Sequence, residues 1–412
     1  MTEKLYDTAL QYKKTKLWKQ LVDTELFALK LSNGEIGYCS VMGELGEHVA
    51  LGLYIGSGGL DSYRKLFHAN EECNGIAQHE MMMSQNCLQC SFENKDELCP
   101  VEIEEAKKYA KTHGVTFRGK RAFPQFMRYE PARYPWRLKD DAEKQLLYEA
   151  LSAALEVSER LRTTGKESLG FQEGIPYDHK VPFLERINDR YRWSTIELPA
   201  EQERKYPSPV VSDELLVAKL KKKKKPAMVW VCEVVMVPVP TSNEVAADGK
   251  IVTDPENAPL FPYTLLIVDS KSEKIISNEI VADYDRDAEK LLIALARSMV
   301  NDGVPSEIRV RDKRTEILLG QFAGQIGTKV KLHEDLPLLD EIEEDFMNQF
   351  CHDSCSDDQA EKEMELFLET FMQLDDKTLM SMPRDLQMQM LEWERQGDLP
   401  GPVSARVRRL FR

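Results

Sequence analysis

The sequence predicts an α+β protein: an N-terminal antiparallel meander with helices, then a mixed-sheet α/β domain, then a helical tail. Three patterns support this class. Short apolar segments joined by tight turns lie near the start of the chain, apolar strands alternate with helical segments over residues 261–332, and apolar residues recur at helical spacing after residue 356. We expect domains over residues 1–165, 226–350 and 356–412, with a connecting segment over 166–225.

Length and composition are those of an ordinary globular protein. The 412 residues are enough for two or three domains, and 42% of them are hydrophobic and 30% charged. The chain does not begin with a basic-then-apolar leader, and no apolar stretch approaches the roughly 20 residues that cross a bilayer. We therefore expect a cytoplasmic protein without a membrane partner, whose eight cysteines stay reduced.

The negative charge is concentrated in one part of the chain. The formal net charge is -15, and acidic residues between positions 334 and 377 account for nearly all of it. This balance disfavours broad binding to nucleic acid, because phosphate contacts require clustered Lys and Arg, although it leaves nucleic acid open as a partner. The five lysines at 221–225 could contact phosphate, but lysines also suit a helix C-terminus, and we interpret the run as a domain boundary.

The first domain should open with a helix over residues 5–21 and strands over 25–31, 35–42 and 49–55. Asn33-Gly34 between the first two strands is the strongest short hairpin pattern. A glycine run at 56–59 then precedes a helical segment. Such a run can hold phosphate on its backbone N–H groups, but the spacing of a nucleotide loop is absent and we favour a tight turn.

Cys87 and Cys90 have the spacing of a metal-ligand or redox pair. A structural zinc site usually needs two such pairs, and this part of the chain offers one clean pair, with Cys73, His79 and Cys99 nearby. A strand over residues 84–92, whose cysteines are small packing residues, explains the pattern equally simply. We favour the strand and predict no resident metal.

An aromatic, proline-rich segment follows a helix at 101–112 and a short strand at 115–117. Four of its residues have side chains that stack on bases or bind a protein partner: Phe126, Arg128, Tyr134 and Trp136. The alternative, which we favour, is an extended segment held to the core by its aromatic rings. A long helix at 138–162 and a strand pair at 181–187 and 191–198 come next.

The second domain shows a fixed order of elements. A buried strand at 227–239 and a polar loop at 241–258 precede two strands, a helix, a strand, a helix and a strand, which end at residue 332, and a further helix follows. This order resembles the ribonuclease-H-like fold of integrase-type proteins. The resemblance rests on Trp230-Val231-Cys232-Glu233, Leu266-Ile267-Val268-Asp269-Ser270-Lys271-Ser272 and Gly303-Val304-Pro305-Ser306-Glu307-Ile308-Arg309-Val310-Arg311-Asp312.

That resemblance implies a site at which three carboxylates hold two Mg²⁺ or Mn²⁺ ions. By position, the candidate catalytic residues are Glu233, Asp312 and Glu343, with Glu341 and Glu344 as alternatives for the third. The chain departs from the family because Glu233 stands where the family has Asp. Asp312 also suits a helix N-cap, and Asp269 suits a turn.

The fuller resemblance, which includes Val41-Met42-Gly43-Glu44-Leu45-Gly46-Glu47-His48, is to an uncharacterised bacterial family with two domains of unknown function. It implies no activity, and no specific catalytic motif is present. We therefore favour a non-enzymatic binding or scaffolding protein with a degenerate ribonuclease-H-like domain and no cofactor. The alternative is a divalent-metal-dependent nuclease or strand-transfer relative.

The tail is rich in methionine. Apolar residues at helical spacing over 360–374, including Met364 and Met372, and shorter helical segments beyond residue 379 predict several helices. Such faces either dock onto the rest of the chain, which we favour, or form a groove for a protein partner.

Overall fold

The computed structural model describes residues 1–44, 46, 48–68, 75–172, 174, 179–241, 259–277, 279–333, 335–352, 368, 371–372, 376–380, 384–396 and 399–411. The chain divides into two units, Met1–Glu344 and Asp345–Arg412. The first unit contains two β-sheets with their helices, and the described part of the second is helical. The predicted α+β fold class is thus confirmed.

The first sheet has eight strands. They are β1 (Phe27–Lys30), β2 (Ile36–Met42), β3 (Ala50–Ile55), β4 (Cys87–Glu93), β5 (Phe123–Tyr129), β6 (Trp136–Arg137), β7 (Lys180–Ile187) and β8 (Arg190–Glu197). Their order is β6-β5-β4-β3-β2-β1-β7-β8, and among these described pairs β1–β7 alone is parallel. The β7–β8 hairpin, which lies in the segment expected to connect the domains, forms the outer edge of this sheet.

Five helices accompany the first sheet: α1 (Thr2–Thr15), α2 (Gly56–His68), α3 (Gly75–Met82), α4 (Pro100–His113) and α5 (Asp141–Leu161). Helices α1 and α5 pack together, and the core beneath them buries Leu5, Tyr12 and Leu147. Asp140 caps α5 by accepting a hydrogen bond from the backbone N–H of Glu143. On the opposite face of the sheet, a smaller core joins α2 to β2 and β3 through Tyr38, Tyr54 and Tyr63.

The glycine run at 56–59 forms the first turn of α2, where we expected a tight turn before the helix. A Cβ on Gly59 would lie 2.8 Å from the backbone of Tyr54. Glycine at this position therefore permits the helix to start directly against β3.

The second sheet has six strands: β9 (Val229–Met236), β10 (Tyr263–Asp269), β11 (Ile275–Ser277), β12 (Ile280–Val281), β13 (Glu307–Val310) and β14 (Lys329–Leu332). Five of them lie in the order β11-β10-β9-β13-β14, and β12 also pairs with β10. Strand β10 is antiparallel to both of its neighbours, β11 and β9. Strand β13 is parallel to β9 and to β14. This mixed sheet has the element order expected of the second domain.

Four helices accompany the second sheet: α6 (Glu214–Lys222), α7 (Tyr284–Asp302), α8 (Lys313–Ile326) and α9 (Pro337–His352). One face of β9 carries Trp230, Cys232 and Val234 into a core shared with α7 and α8. The other face carries Val231 into a smaller core with Leu336 and Leu339, at the start of α9. Because side chains alternate along a strand, Glu233 lies on the α9 side of the sheet.

The unit Asp345–Arg412 has its own apolar core. The described residues beyond α9 include α10 (Asp376–Met380), α11 (Arg384–Gln396) and α12 (Gly401–Phe411), and this core buries Leu379, Met390, Val407 and Phe371. Arg406 donates hydrogen bonds to the carbonyl oxygens of Phe371 and Met372 and to Asp376.

Two predicted strands differ from the observed ones. Residues 115–117 form no strand, because Val115 and Phe117 pack against the core from an irregular segment after α4. In the second domain, the second of the two strands predicted after the polar loop corresponds to two short pieces, β11 and β12. Three further predictions lie outside the described residues. They concern the loop 241–258 beyond Thr241, Cys73, and the part of the tail helix that contains Met364.

Candidate functional site

Three elements of the second domain bring an acidic cluster together. Glu233 lies on β9, Arg311 follows β13, and Asp340 and Glu343 lie on successive turns of α9. Residues three apart on a helix share a face, so both acids of α9 point towards the sheet. Glu233 is 8% exposed and Glu343 3% exposed, which makes this cluster unusual among carboxylates.

The guanidinium group of Arg311 occupies the centre of this cluster. Its Nε donates to Glu233 Oε1 at 3.2 Å and its Nη2 to Glu233 Oε2 at 2.5 Å. The same Nη2 donates to Glu343 Oε1 at 2.5 Å, and Nη1 donates to Asp340. One cation is therefore shared by three carboxylates, in the bidentate geometry that arginine forms with carboxylates.

The electrostatics of Glu233 reflect this shortage of positive charge. Burial and then the neighbouring charge of Glu343 raise the pKa of the Glu233 carboxyl above its usual 4.5 to about 8, although Arg311 opposes the shift. A proton on Glu233 leaves two carboxylates around one guanidinium. A carboxyl whose pKa is raised in this way keeps its proton to higher pH than an exposed glutamate does.

Asp312, the second predicted catalytic residue, is engaged elsewhere. Its Oδ1 accepts a hydrogen bond from the backbone N–H of Thr315 at 2.8 Å, and its Oδ2 accepts one from the Thr315 hydroxyl at 2.7 Å. Asp312 is the N-cap of α8. Asp269 similarly accepts hydrogen bonds from Ser272 and Lys271 in the β10–β11 turn.

These residues do not fit the two-metal site that the resemblance implies. Such a site needs carboxylate oxygens that face one another and are available to cations. Here Arg311 already binds Glu233 and Glu343, and both oxygens of Asp312 accept hydrogen bonds from Thr315. In the described part of the chain, no group of three or more His, Cys, Asp or Glu side chains is arranged to hold a metal ion. The alternative acids Glu341 and Glu344 are exposed.

The predicted binding residues of the aromatic segment have separate environments. Phe126 and Trp136 are buried, and the Phe126 ring packs edge-on against Tyr6. Arg128 donates to Asn86 and forms ion pairs with Glu130 and Glu143. Tyr134 is 36% exposed and stacks near Phe261, so the ring that remains accessible to a partner is that of Tyr134.

Cys87 and Cys90 lie on opposite faces of β4. Cys87 belongs to the core under α2, and Cys90 belongs to the core under α1 and α5. Burial raises the pKa of the Cys87 thiol to about 12 and that of Cys90 further. Two side chains on opposite faces of one strand cannot bind the same metal ion.

A second arginine, Arg314 on α8, lies at the junction of the two sheets. It forms a bidentate ion pair with Glu80 on α3, at 2.5 Å and 3.1 Å, and donates to the carbonyl oxygen of Val234. Its guanidinium also lies 5.5 Å from the ring of Tyr263 and 5.8 Å from that of Tyr284. This contact ties α3 of the first domain to the second domain.

Backbone hydrogen bonds reinforce the junction. The N–H of Tyr134 donates to Pro259 O at 2.8 Å, and the N–H of Phe261 donates to Ala132 O at 2.9 Å. The aromatic segment thus pairs with the segment that leads into β10, which gives it a structural role between the domains.

Neither arginine is among the predicted site residues. One sequence feature does indicate a partner for Arg314: a cation in the first turn of a helix is unfavourable beside the positive end of the helix dipole. Its presence there implies a nearby carboxylate. The identity of that carboxylate, Glu80, comes from another domain and has no local pattern.

Comparisons with known proteins give domain similarity without activity. Residues 3–175 match the family model of a domain of unknown function, DUF7309, and residues 216–347 match that of a second, DUF6930. The chain is similar to two domains of unknown function. That finding agrees with the resemblance seen in the sequence, and no curated protein matches significantly.

A solved structure gives a weak likeness. It is described as the "CryoEM structure of simian T-cell lymphotropic virus intasome in complex with PP2A regulatory subunit B56 gamma", with 9% identity and a TM-score of 0.20 over 33% of this chain. The match spans 45% of that structure's chain, less than half its length. A TM-score of this size bears on neither fold nor function. Among the described residues, no helix has the length and apolarity required to span a membrane.

Proposed function

We propose that the chain is a non-enzymatic binding or scaffolding protein whose second domain is a degenerate ribonuclease-H-like domain. The observation that carries the proposal is the position of Arg311, whose guanidinium is bonded to Glu233, Asp340 and Glu343. Its positive charge takes the electrostatic place that divalent cations take in nucleases of this fold.

The charge balance supports a structural role for the cluster. A metal ion between Glu233 and Glu343 would face the Arg311 cation at short range and would have to displace its hydrogen bonds. Separating an arginine from buried carboxylates costs several kcal/mol unless other partners replace it. The cluster therefore joins β9, β13 and α9, and Asp312 stabilises the start of α8.

The helical unit Asp345–Arg412 is the proposed binding surface for a protein partner. It buries Met390 in its own core, whereas Met372, Met380 and Met388 are exposed. Exposed methionine side chains are flexible and polarizable, which suits a surface that adapts to another protein. The partner class is a protein with a complementary apolar helix or groove.

A nuclease assay tests the non-enzymatic part of the proposal. Single- and double-stranded DNA and RNA are incubated with the full chain in Mg²⁺ or Mn²⁺, beside the Asp312→Asn variant. Asparagine also caps helices, so this variant keeps α8 intact. We expect no cleavage that differs between the two proteins. Cleavage by the parent that Asp312→Asn abolishes would establish the nuclease alternative.

A capture experiment tests the binding part. Cross-linked partners of the parent are compared with those of a Met380→Ser/Met388→Ser variant and of the control Met82→Ser, whose methionine is exposed on α3. We expect a partner that is lost only from the double variant. An inert monomer by light scattering, with identical capture by all three proteins, would count against a binding role of the tail.

A further inference from the structure

A polar cleft of about 410 Å³ lies at the junction of the two sheets, on the side of Glu80 that faces α2. Its lining includes Gly58 and Lys65 of α2, Arg204 from the segment before α6, and Tyr263, Tyr284 and Asp285 of the second domain. Both domains contribute side chains, and the volume is in the range of small-molecule sites. None of the residues in the acidic cluster lines this cleft.

Lys65 is the first feature that points to a ligand. It is half-buried in the cleft, and in the part of the chain that the structure describes its ammonium group has neither a hydrogen bond nor an ion pair. The carboxylates around it have other partners: Asp61 binds Arg64, and Glu80 binds Arg314. A lysine that loses water without gaining an acceptor costs free energy unless an anion completes the site.

The neighbourhood of Lys65 increases that cost. Burial and then the positive charge of Arg204 lower the pKa of Lys65, against the opposing effects of Asp61, Glu201 and Glu80. Arg204 itself forms an ion pair with Asp285 at 3.5 Å. The cleft lining has three cations, Lys65, Arg133 and Arg204, and three acids, Glu80, Asp283 and Asp285. Glu80 pairs with Arg314 and Arg133 pairs with Glu130, both from outside the lining.

Tyr284 supplies an independent observation. This residue lines the cleft and is 2% exposed, and its hydroxyl group has no hydrogen-bond partner among the described residues. A buried hydroxyl without a partner costs about 1–3 kcal/mol. An acceptor atom on a bound molecule would satisfy it.

The first turn of α2 contributes backbone, without a covering side chain at Gly58, to the lining of the cleft. Gly58 lines the cleft, and a Cβ on it would meet nothing within 4 Å. The first turn of a helix presents N–H groups and the positive end of the helix dipole to an anion.

We propose that this cleft binds a small phosphorylated molecule that also carries hydroxyl groups. Lys65 and Arg204 bind the phosphate, the Tyr284 hydroxyl donates to an oxygen of the ligand, and the carboxylates of Asp283 and Asp285 accept from its hydroxyl groups. This inference does not depend on the state of the acidic cluster, because no residue of that cluster lines the cleft.

Titration calorimetry on the full chain tests the proposal, with ribose 5-phosphate, inorganic phosphate and ribose as probes. We expect saturable binding of ribose 5-phosphate, weaker binding of phosphate and none of ribose. The Lys65→Met variant should weaken ribose 5-phosphate at least about tenfold, since it removes the unpaired cation. Tyr284→Phe should weaken it by a smaller factor, because a neutral hydrogen bond contributes less than a charged one.

Matched variants away from the cleft complete the experiment. Lys111→Met on α4 and Tyr148→Phe on α5 make the same chemical changes at positions that do not line the cleft and should bind like the parent. Thermal unfolding verifies that every variant is folded. Absence of saturable binding by ribose 5-phosphate would overturn the proposal, and so would equal binding by the parent and Lys65→Met. Equal affinity for ribose 5-phosphate and phosphate would overturn its hydroxyl part.

Discussion

Arg311 and Arg314 lie three residues apart, on either side of the cap Asp312, yet their surroundings differ. Arg311 is shared by three carboxylates from β9 and α9, all within the second domain. Arg314 binds both oxygens of Glu80, which comes from the first domain, and its Nε also lies 4.0 Å from Asp312 Oδ1. The first arginine is shared by three acids, whereas the second has one bidentate partner and a more distant contact with its own helix cap.

The difference separates two uses of the same side chain. Removing either member of an ion pair that is largely withdrawn from water is strongly destabilising, because the other charge stays buried without its main partner. A cluster with excess acid has a second means of balance, since a carboxyl can take up a proton. The contribution of Arg314 to the free energy of unfolding should therefore be insensitive to moderate pH changes. The contribution of the Arg311 cluster should depend on pH.

Removal of Glu80 should have the largest effect on stability. Glu80→Ala removes the bidentate partner of Arg314 at the junction of the domains and leaves only the longer contact with Asp312. We expect a loss of about 3 kcal/mol in the free energy of unfolding. The control is Glu203→Ala, because Glu203 pairs with the neighbouring Lys313 at the surface and should matter little. Chemical denaturation measures both. Equal effects of the two substitutions would show that the junction pair is not special.

Removal of Arg311 should have the next largest effect. Arg311→Met leaves Glu233, Asp340 and Glu343 without their shared cation, and we expect a loss of about 2 kcal/mol at neutral pH, less in mild acid. The variant should also gain stabilisation by Mn²⁺ in thermal unfolding, since its carboxylates become available. Arg309→Met, two residues before Arg311 and within β13, is the control and should gain none. A parent protein that Mn²⁺ stabilises as strongly as the variant would contradict the degenerate site.

The pH dependence distinguishes the two arginines most directly. The pKa of Glu233 is raised in the folded protein, so its contribution is present below the unfolded value and disappears as pH rises through the folded value. Stability of the parent should therefore fall between about pH 5 and about pH 8, and Glu233→Gln should flatten that slope. Denaturant titrations at several pH values measure it.

Glu307 provides the opposite case for that experiment. Hydrogen bonds from Lys331 and Arg309 lower the pKa of Glu307, so its contribution is present above the unfolded value and disappears as pH falls. Glu307→Gln should leave the neutral slope unchanged and alter stability only in acid. If Glu233→Gln keeps the slope of the parent, the cluster does not hold the proton.

The smallest effect is expected at the residue between the two arginines. Asp312→Ala removes the N-cap of α8 and should cost about 1 kcal/mol of unfolding free energy. Asp140→Ala, at the N-cap of α5, is a matched control with a similar loss. A much larger loss at Asp312 would indicate that this carboxylate also neutralises its neighbouring arginines.

Local patterns account for much of the fold. Asn33-Gly34 predicts the β1–β2 hairpin, and the apolar segment at 227–239 predicts the buried strand β9. Periodicity predicts α5 to within a few residues at each end, and the element order predicts that helices corresponding to α7 and α8 exist. The strand expected at 115–117 is absent because its apolar residues pack from an irregular segment, which a window of three residues cannot distinguish from a strand.

The candidate site was less accessible to such patterns. Glu233 and Glu343 do meet, as their positions in the resemblance imply, but Arg311 lies between them. Residue type alone does not reveal whether an acid faces a cation, a helix N-terminus or water. Lys65 and Tyr284 have no distinctive spacing, and their lack of partners is a property of the surrounding cleft.

Local sequence was enough for the class of the fold, the N-cap at Asp312 and the turn at Asp269, because these depend on residues near one another along the chain. Contacts between distant segments fix which carboxylates share Arg311, that Arg314 pairs with a glutamate 234 residues away, and that Lys65 has no ion pair among the described residues. The reason is physical: free energies of burial and charge pairing depend on distance in space, and local sequence does not specify that distance.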